Sequence, residues 1–179
     1  MRRLVFITIS FFLACAALGQ SDVGEVSFAN SGAPAAQETF RRGLALLHNF
    51  EYEDAGATFR EAQAIDPTFT MAYWGEAMTH THPIWFQQDL DAARAVLAKA
   101  HATTPKTERE RDYLATLDVL YGEGTKHERD FKYAGAIAAL HAKYPDDVDA
   151  TAFYALALLG TAHEGRDFAI YMRSAALLE

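Results

Sequence analysis

Four side chains in the first half of the chain have the chemistry of a metal site. His48, Glu76, His80 and His82 offer three imidazole nitrogens and a carboxylate, a donor set that zinc, copper or iron takes at roughly 2.0–2.2 Å. Glu76 stands four residues before His80, which on a helix puts both on one face. His82 comes two residues later, beside Pro83, where a helix is expected to end. A hydrolytic ion held here would lower the pKa of bound water, with Glu76 as base where it is not itself a ligand. The plainer reading also accounts for these residues. A histidine in the last turn of a helix is favoured by the helix dipole, and a Glu–His pair at this spacing adds only a few tenths of a kcal/mol. No HExxH motif, nucleophile elbow, or Ser-His-Asp or Cys-His set can be assembled, so no catalytic residue is assigned. Trp85 and Phe86 follow directly. They form either the wall of a pocket or a hydrophobic staple over a lengthened turn, whereas Trp74 reads as core.

The elements that would position these groups are helices. Apolar residues recur at three and four from Glu38 onward, and no β-hairpin signal is present. Counting back 12, 8 and 5 residues from Pro67 gives Ala55, Phe59 and Ala62, and from Pro105 gives Ala93, Leu97 and Ala100. From Pro145 the same offsets give Tyr133, Ile137 and Leu140, bulkier but still apolar. Gly43 and Gly75, 32 residues apart, are expected where the paired helix comes too close for a Cβ. His48 and His80 each stand five residues after one of these glycines, in equivalent slots of adjacent first helices. With axes about 8–10 Å apart, the two imidazoles could converge on one ion. His101, His127 and His141 are expected at the surface. His163, near the end of the first helix of repeat four, would join the site if the helices curve tightly. Gly75 to Ala93 spans 18 residues where Gly43 to Ala55 spans 12, so six extra residues lie in the turn that carries the histidines and Trp85.

This arithmetic resembles the tetratricopeptide repeat, on Gly43, Ala55, Phe59, Ala62 and Pro67, although Thr39 and Leu46 stand where that family has tryptophan and tyrosine. The resemblance covers about residues 38–179. It implies an all-α solenoid of antiparallel helix pairs, about four repeats, whose first helices line a concave groove. The phrases MAYWGEAMTHTHPIW, YPDDVDATAFYALALLG and SAALLE look like an uncharacterised group of exported bacterial tetratricopeptide proteins, whose members are usually much longer. Further helix signals agree with this layout. Thr107 to Glu110 is a capping box whose helix runs to about Tyr121, Gly122-Glu123-Gly124 is a turn, Asp146 or Asp147 caps the next helix, and Gly165-Arg166-Asp167 opens the last.

The 179 residues are half hydrophobic and 22% charged, which fits one soluble domain. Residues 1–19 read as a secretory signal peptide: Arg2 and Arg3, an apolar run from Leu4 to Leu18, and small residues ending at Gly19. Phe12-Leu13-Ala14-Cys15 also resembles a lipobox, which leaves lipoprotein anchoring open. Residues 20–37 read as a flexible lead-in. Without Arg2 and Arg3 the 16 basic residues become 14 against 24 acidic, a charge of −10, with no basic stripe for nucleic acid and no transmembrane span. The chain stops at Ala175 to Glu179 without a polar capping helix. Residues 38–179 are therefore expected to begin a longer solenoid, or to self-associate through the Leu177-Leu178 edge.

Two functions follow. The first is an interaction module, periplasmic or secreted, that presents a concave acidic groove to a peptide or protein. The second is a metal-binding protein or metal-dependent enzyme at the lengthened turn.

Overall fold

All nine apolar side chains picked out by the proline spacing are buried: Ala55, Phe59, Ala62, Ala93, Leu97, Ala100, Tyr133, Ile137 and Leu140. In the computed structural model, which describes residues 23–179, they lie on the second helices of an all-α chain. The helices are α1 Gln37–His48, α2 Tyr52–Ile65, α3 Thr70–Met78, α4 Leu90–His101, α5 Glu108–Leu120, α6 Lys126–Lys143, α7 Val148–Leu159 and α8 Phe168–Ala176. Each packs against the next, extensively everywhere except between α4 and α5, and α1 and α5 also touch α3. Residues 1–19, read from the sequence as a signal peptide, and the Cys15 motif lie outside the described residues. Among the described residues no helix is long and apolar enough to cross a membrane.

The starts of the later helices are set by local chemistry. Thr107 and Thr125 form capping boxes with Glu110 and Glu128. Asp89, Asp147 and Asp167 accept from the amides of Ala92, Ala150 and Ile170. Each such cap satisfies an amide that the helix cannot, and contributes about 1 kcal/mol.

Several expectations are corrected. The stretch read as a flexible lead-in is, from Val23 onward, an ordered strap. Phe28 is buried against Phe40, Trp74 and Tyr113, with ring centroids 5.6, 5.8 and 5.2 Å away. The strap's main chain is held by side chains: Ser31 N–H donates to Glu110, Ala33 N–H to Asp66, and Ala29 C=O accepts from Arg109. One aromatic anchor in a polar stretch leaves no periodicity to detect, and its partners are distant in sequence.

The lengthened turn contains a short antiparallel ladder, β1 Thr81–His82 with β2 Gln87–Gln88, closed by a 3-10 turn at Pro83–Trp85. Two-residue strands are too short to show alternation. Helix α3 ends at Met78, five residues before Pro83, with the Thr79 hydroxyl donating to the Glu76 carbonyl. The ladder rather than the proline takes the chain off the helix. Finally, a Cβ on Gly75 would lie 2.4 Å from the ring of Phe59 on α2, not against its own partner α4, while one on Gly43 would stand 3.0 Å from the same ring. Phe59 is thus clasped between two glycines.

The side chains that meet between the first helices are aromatic rather than acidic: Phe28, Trp74, Tyr113 and Phe153, with Trp74 at 5.4 Å from both Tyr113 and Phe153. The carboxylates nearby are engaged, Asp147 by Arg109 and Tyr113, and Asp149 by His48.

Candidate functional site

The structure does not gather the four residues of the sequence-derived metal set. His48, on the last turn of α1, donates from Nε2 to Asp149 Oδ1 on α7 at 2.8 Å, with its ring stacked on Phe153. Glu76 is buried and faces α2, where Arg60 and Gln63 donate to its two oxygens at 3.1 and 2.7 Å. His80 lies beyond the end of α3. Burial holds its imidazole below the ordinary histidine value, against the opposing pull of Glu76 and Asp89. His82 stacks on Tyr52 at 3.9 Å and donates from Nε2 to the Thr79 carbonyl. His80 and His82 do share one polar concavity of about 510 Å³ with Glu53, Arg60, Gln87 and Asp89. Even so, no three His, Cys, Asp or Glu side chains among the described residues stand where one ion could be held.

The remaining histidines are engaged elsewhere. His101 bonds Asp118, and His141 bonds the Thr151 hydroxyl. His163 does not join the others. Its Nε2 is 3.0 Å from Asp130 Oδ2, out of line for a hydrogen bond, and its ring lies 4.7 Å from that of His127. Burial pushes the His163 imidazole down, and Asp130 pulls it back only in part.

What the fold does build is an apolar cavity of about 240 Å³ on the other side of Tyr52. Leu47 and His48 of α1, Met78 of α3, Thr81, Pro83 and Ile84 of the insertion, and Phe153, Leu156 and Leu159 of α7 supply most of its wall, and Ser174 and Leu178 reach it from the α8 end. A smaller lobe of about 20 Å³ shares Met78, Thr81, Pro83, Phe153 and Leu156 with it, and reaches the Lys126–Asp130 ion pair and Tyr133 on α6. Gly160 allows this closure, because its Cβ position lies 3.1 Å from Pro83 Cβ, so the insertion seats directly on the end of α7.

The cavity's mouth is an aromatic rim. Trp85 is 52% exposed and stands edge-on to Phe50 and Tyr52, with centroids 5.7 and 6.3 Å away, and Phe50 is itself 38% exposed. Trp85 therefore caps the wall residues rather than lining the cavity, and Phe86 turns the other way, towards His163 at 5.2 Å. Phe50 and Phe86 are the described non-glycine residues with positive φ, at 63° and 55°. A left-handed backbone at a bulky residue costs roughly 1–2 kcal/mol and persists only where the surroundings impose it. Both phenylalanines sit in turns between paired helices, and one of them forms the rim.

The Tyr52 hydroxyl is buried and has no partner among the described residues, and burial pushes its pKa up to about 12. Thr81 is 3% exposed and lines both lobes.

Phe50, Ile84, Thr81 and the α7 residues were not singled out from the sequence. The available signal was the six-residue insertion itself, which marks where the wall is thickened. Compared with known protein families, curated proteins and solved structures, the chain matches none of them.

Proposed function

We propose that this chain is an exported, tetratricopeptide-like interaction module that holds a protein or peptide partner by an apolar side chain seated in the cavity beneath the insertion. The observation that carries the binding reading is the mouth: an open apolar cavity of about 240 Å³ lined by partly exposed Phe50 and Ile84, with exposed Trp85 standing edge-on to Phe50. Large exposed apolar side chains grouped round a concavity are the anatomy of a binding hot spot, where aromatic residues supply much area at little entropic cost. The strained backbone at Phe50 supports the same reading, because a fold that only needed stability would place glycine or asparagine there. Helices packed pairwise in sequence, with their buried slots at proline-anchored offsets, support the repeat assignment. The Arg2-Arg3 leader supports export, and N-terminal sequencing of the mature protein should then begin at Gln20.

The test of binding is selection of displayed random peptides on the mature chain. Wild type should enrich sequences with a bulky apolar residue. Ala152→Trp, which projects a large ring into the cavity from a part-buried position on α7, should abolish the enrichment while leaving the helical circular dichroism unchanged. Enrichment that survives this substitution overturns the reading.

A further inference from the structure

Residues 23–33 form no helix or strand, yet the helices hold them as a bound peptide is held. Two carboxylates and two cations grip the main chain. Glu110 and Asp66 accept from the amides of Ser31 and Ala33 at 2.7 and 2.9 Å, and Arg109 and Lys106 donate to the carbonyls of Ala29 and Ser31 at 2.7 and 3.3 Å. Side chains are read as well. Phe28 fills the space between Phe40, Trp74 and Tyr113, with the Arg109 guanidinium 4.1 Å over its ring. The Ser31 hydroxyl donates to the second oxygen of Glu110 at 2.9 Å. Gly32 leaves no room for a side chain, since its Cβ position lies 2.5 Å from the ring of Phe69, itself 1% exposed. Between these anchors Ala29 is exposed, and Asn30 shapes the segment by bonding the Phe28 carbonyl and the Gly32 amide. The cleft therefore fits, in order, phenylalanine, any residue, asparagine, serine and glycine. A segment gripped by side chains, with Phe28 its one buried residue, belongs to the parts of a fold that open most readily.

We propose that this cleft is a second recognition site, for a partner segment carrying that pattern, and that the strap is its resident substitute, which such a segment displaces. The strap, seated there, shows what chemistry fits. None of Phe40, Trp74, Tyr113, Arg109, Glu110 and Asp66 lines the cavity beneath the insertion, so a segment held here leaves that cavity free. A tethered strap competes at an effective concentration of roughly millimolar. A free segment therefore binds the wild-type chain weakly, in proportion to the small fraction whose strap is open. A partner overcomes this where a contact elsewhere holds it to the chain and raises the local concentration of its segment to match. The strap of a second copy is the less favoured occupant, because it offers the same contacts as the tethered one and has only its dilute solution concentration to set against it.

The experiment is fluorescence anisotropy of a labelled, capped peptide with the sequence of residues 23–33, titrated with the full mature chain. Wild type should bind it weakly, and Phe28→Ala, which removes the strap's anchor and keeps the cleft, about tenfold or more tightly. In a Trp85→Phe background the peptide should also restore the Trp74 emission that Phe28→Ala perturbs, because the incoming ring takes the place of Phe28 beside the indole. Against Phe28→Ala, a peptide with Ser31→Ala should lose about tenfold in affinity, and one with Gly32→Leu should not bind. Should Phe28→Ala lose its helical circular dichroism, Ser31→Pro, which keeps the anchor and removes both donors to Glu110, carries the same comparison with wild type. A folded variant that takes up no peptide even at millimolar concentration makes the strap a fixed part of the core and overturns the proposal. Equal affinity of wild type and variant, or undiminished binding of the Gly32→Leu peptide, puts the peptide elsewhere and overturns it too. Wild-type dimers that grow with concentration and that the peptide splits assign the cleft to a second copy's strap and overturn the partner.

Discussion

Glu110 is 1% exposed, and its carboxylate accepts from the Ser31 amide and hydroxyl and from the amides of Lys106 and Thr107. It therefore closes the capping box of α5 and clamps the strap with the same two oxygens. Replacing it with alanine strands buried amides on both sides, and Glu110→Ala should lose about 2–4 kcal/mol in urea denaturation, well beyond an ordinary cap. Burial pushes this carboxyl up, but the hydrogen bonds from Ser31, Thr107 and Lys106 together outweigh it, so it titrates below the ordinary glutamate value. Asp66 is also held low, first by the Ala33 amide and then by the Thr68 hydroxyl. Depressed carboxyls bind protons more readily when the chain is unfolded. Their stabilisation is thus complete above the unfolded values near pH 4 and is lost as pH falls through the folded ones. Since both hold strap amides, acid should loosen the strap before the helices melt. In a Trp85→Phe background, Trp74 emission should change at higher pH than the far-ultraviolet circular dichroism does. Coincident transitions would show that the strap has no stability of its own to lose.

At the level of elements, close approaches decide the packing. Alanine is the better helix former by roughly 1 kcal/mol, so Gly75→Ala would stabilise an isolated α3. Here the new methyl would enter the Phe59 ring, which is fully buried and pinned on its other side by Gly43. Overpacking should win, with a net loss of about 1–2 kcal/mol by urea denaturation that Phe59→Leu partly restores. Helix starts were legible because caps are local: Thr107 with Glu110, Asp147 and Asp167 declare themselves within four residues. The pairing of His48 with His80 failed for a related reason. The register counted from Gly43 and Gly75 assumes equal helices, and α3 stops at Met78, before His80 is reached. The cavity was illegible because its walls come from α1, the insertion and α7, and no spacing rule links Leu47 to Ile84 and Leu156. Nor does anything in the residue types at Phe50 and Phe86 announce a left-handed backbone.

For the molecule as a whole, binding and stability should separate at the rim. Trp85→Ala removes half-exposed surface and should change unfolding free energy by no more than about 0.5 kcal/mol, while sharply weakening peptide capture. A parallel loss of both would mean that the ring is a structural staple. The contact between His48 and Asp149 joins α1 to α7 across 101 residues of sequence, and Ser31 joins the strap to α5 across 79. Stacked helical hairpins that touch only their neighbours nucleate anywhere and fray from their ends, because each loop closed is short. Ties between helices so distant in sequence remove that freedom. Kinetically, the tie between His48 and Asp149 is made only once α1 and α7 have both formed, so refolding should be slower than for an open array of the same helices and unfolding should occur in one step, with amides of the first and last pairs exchanging together.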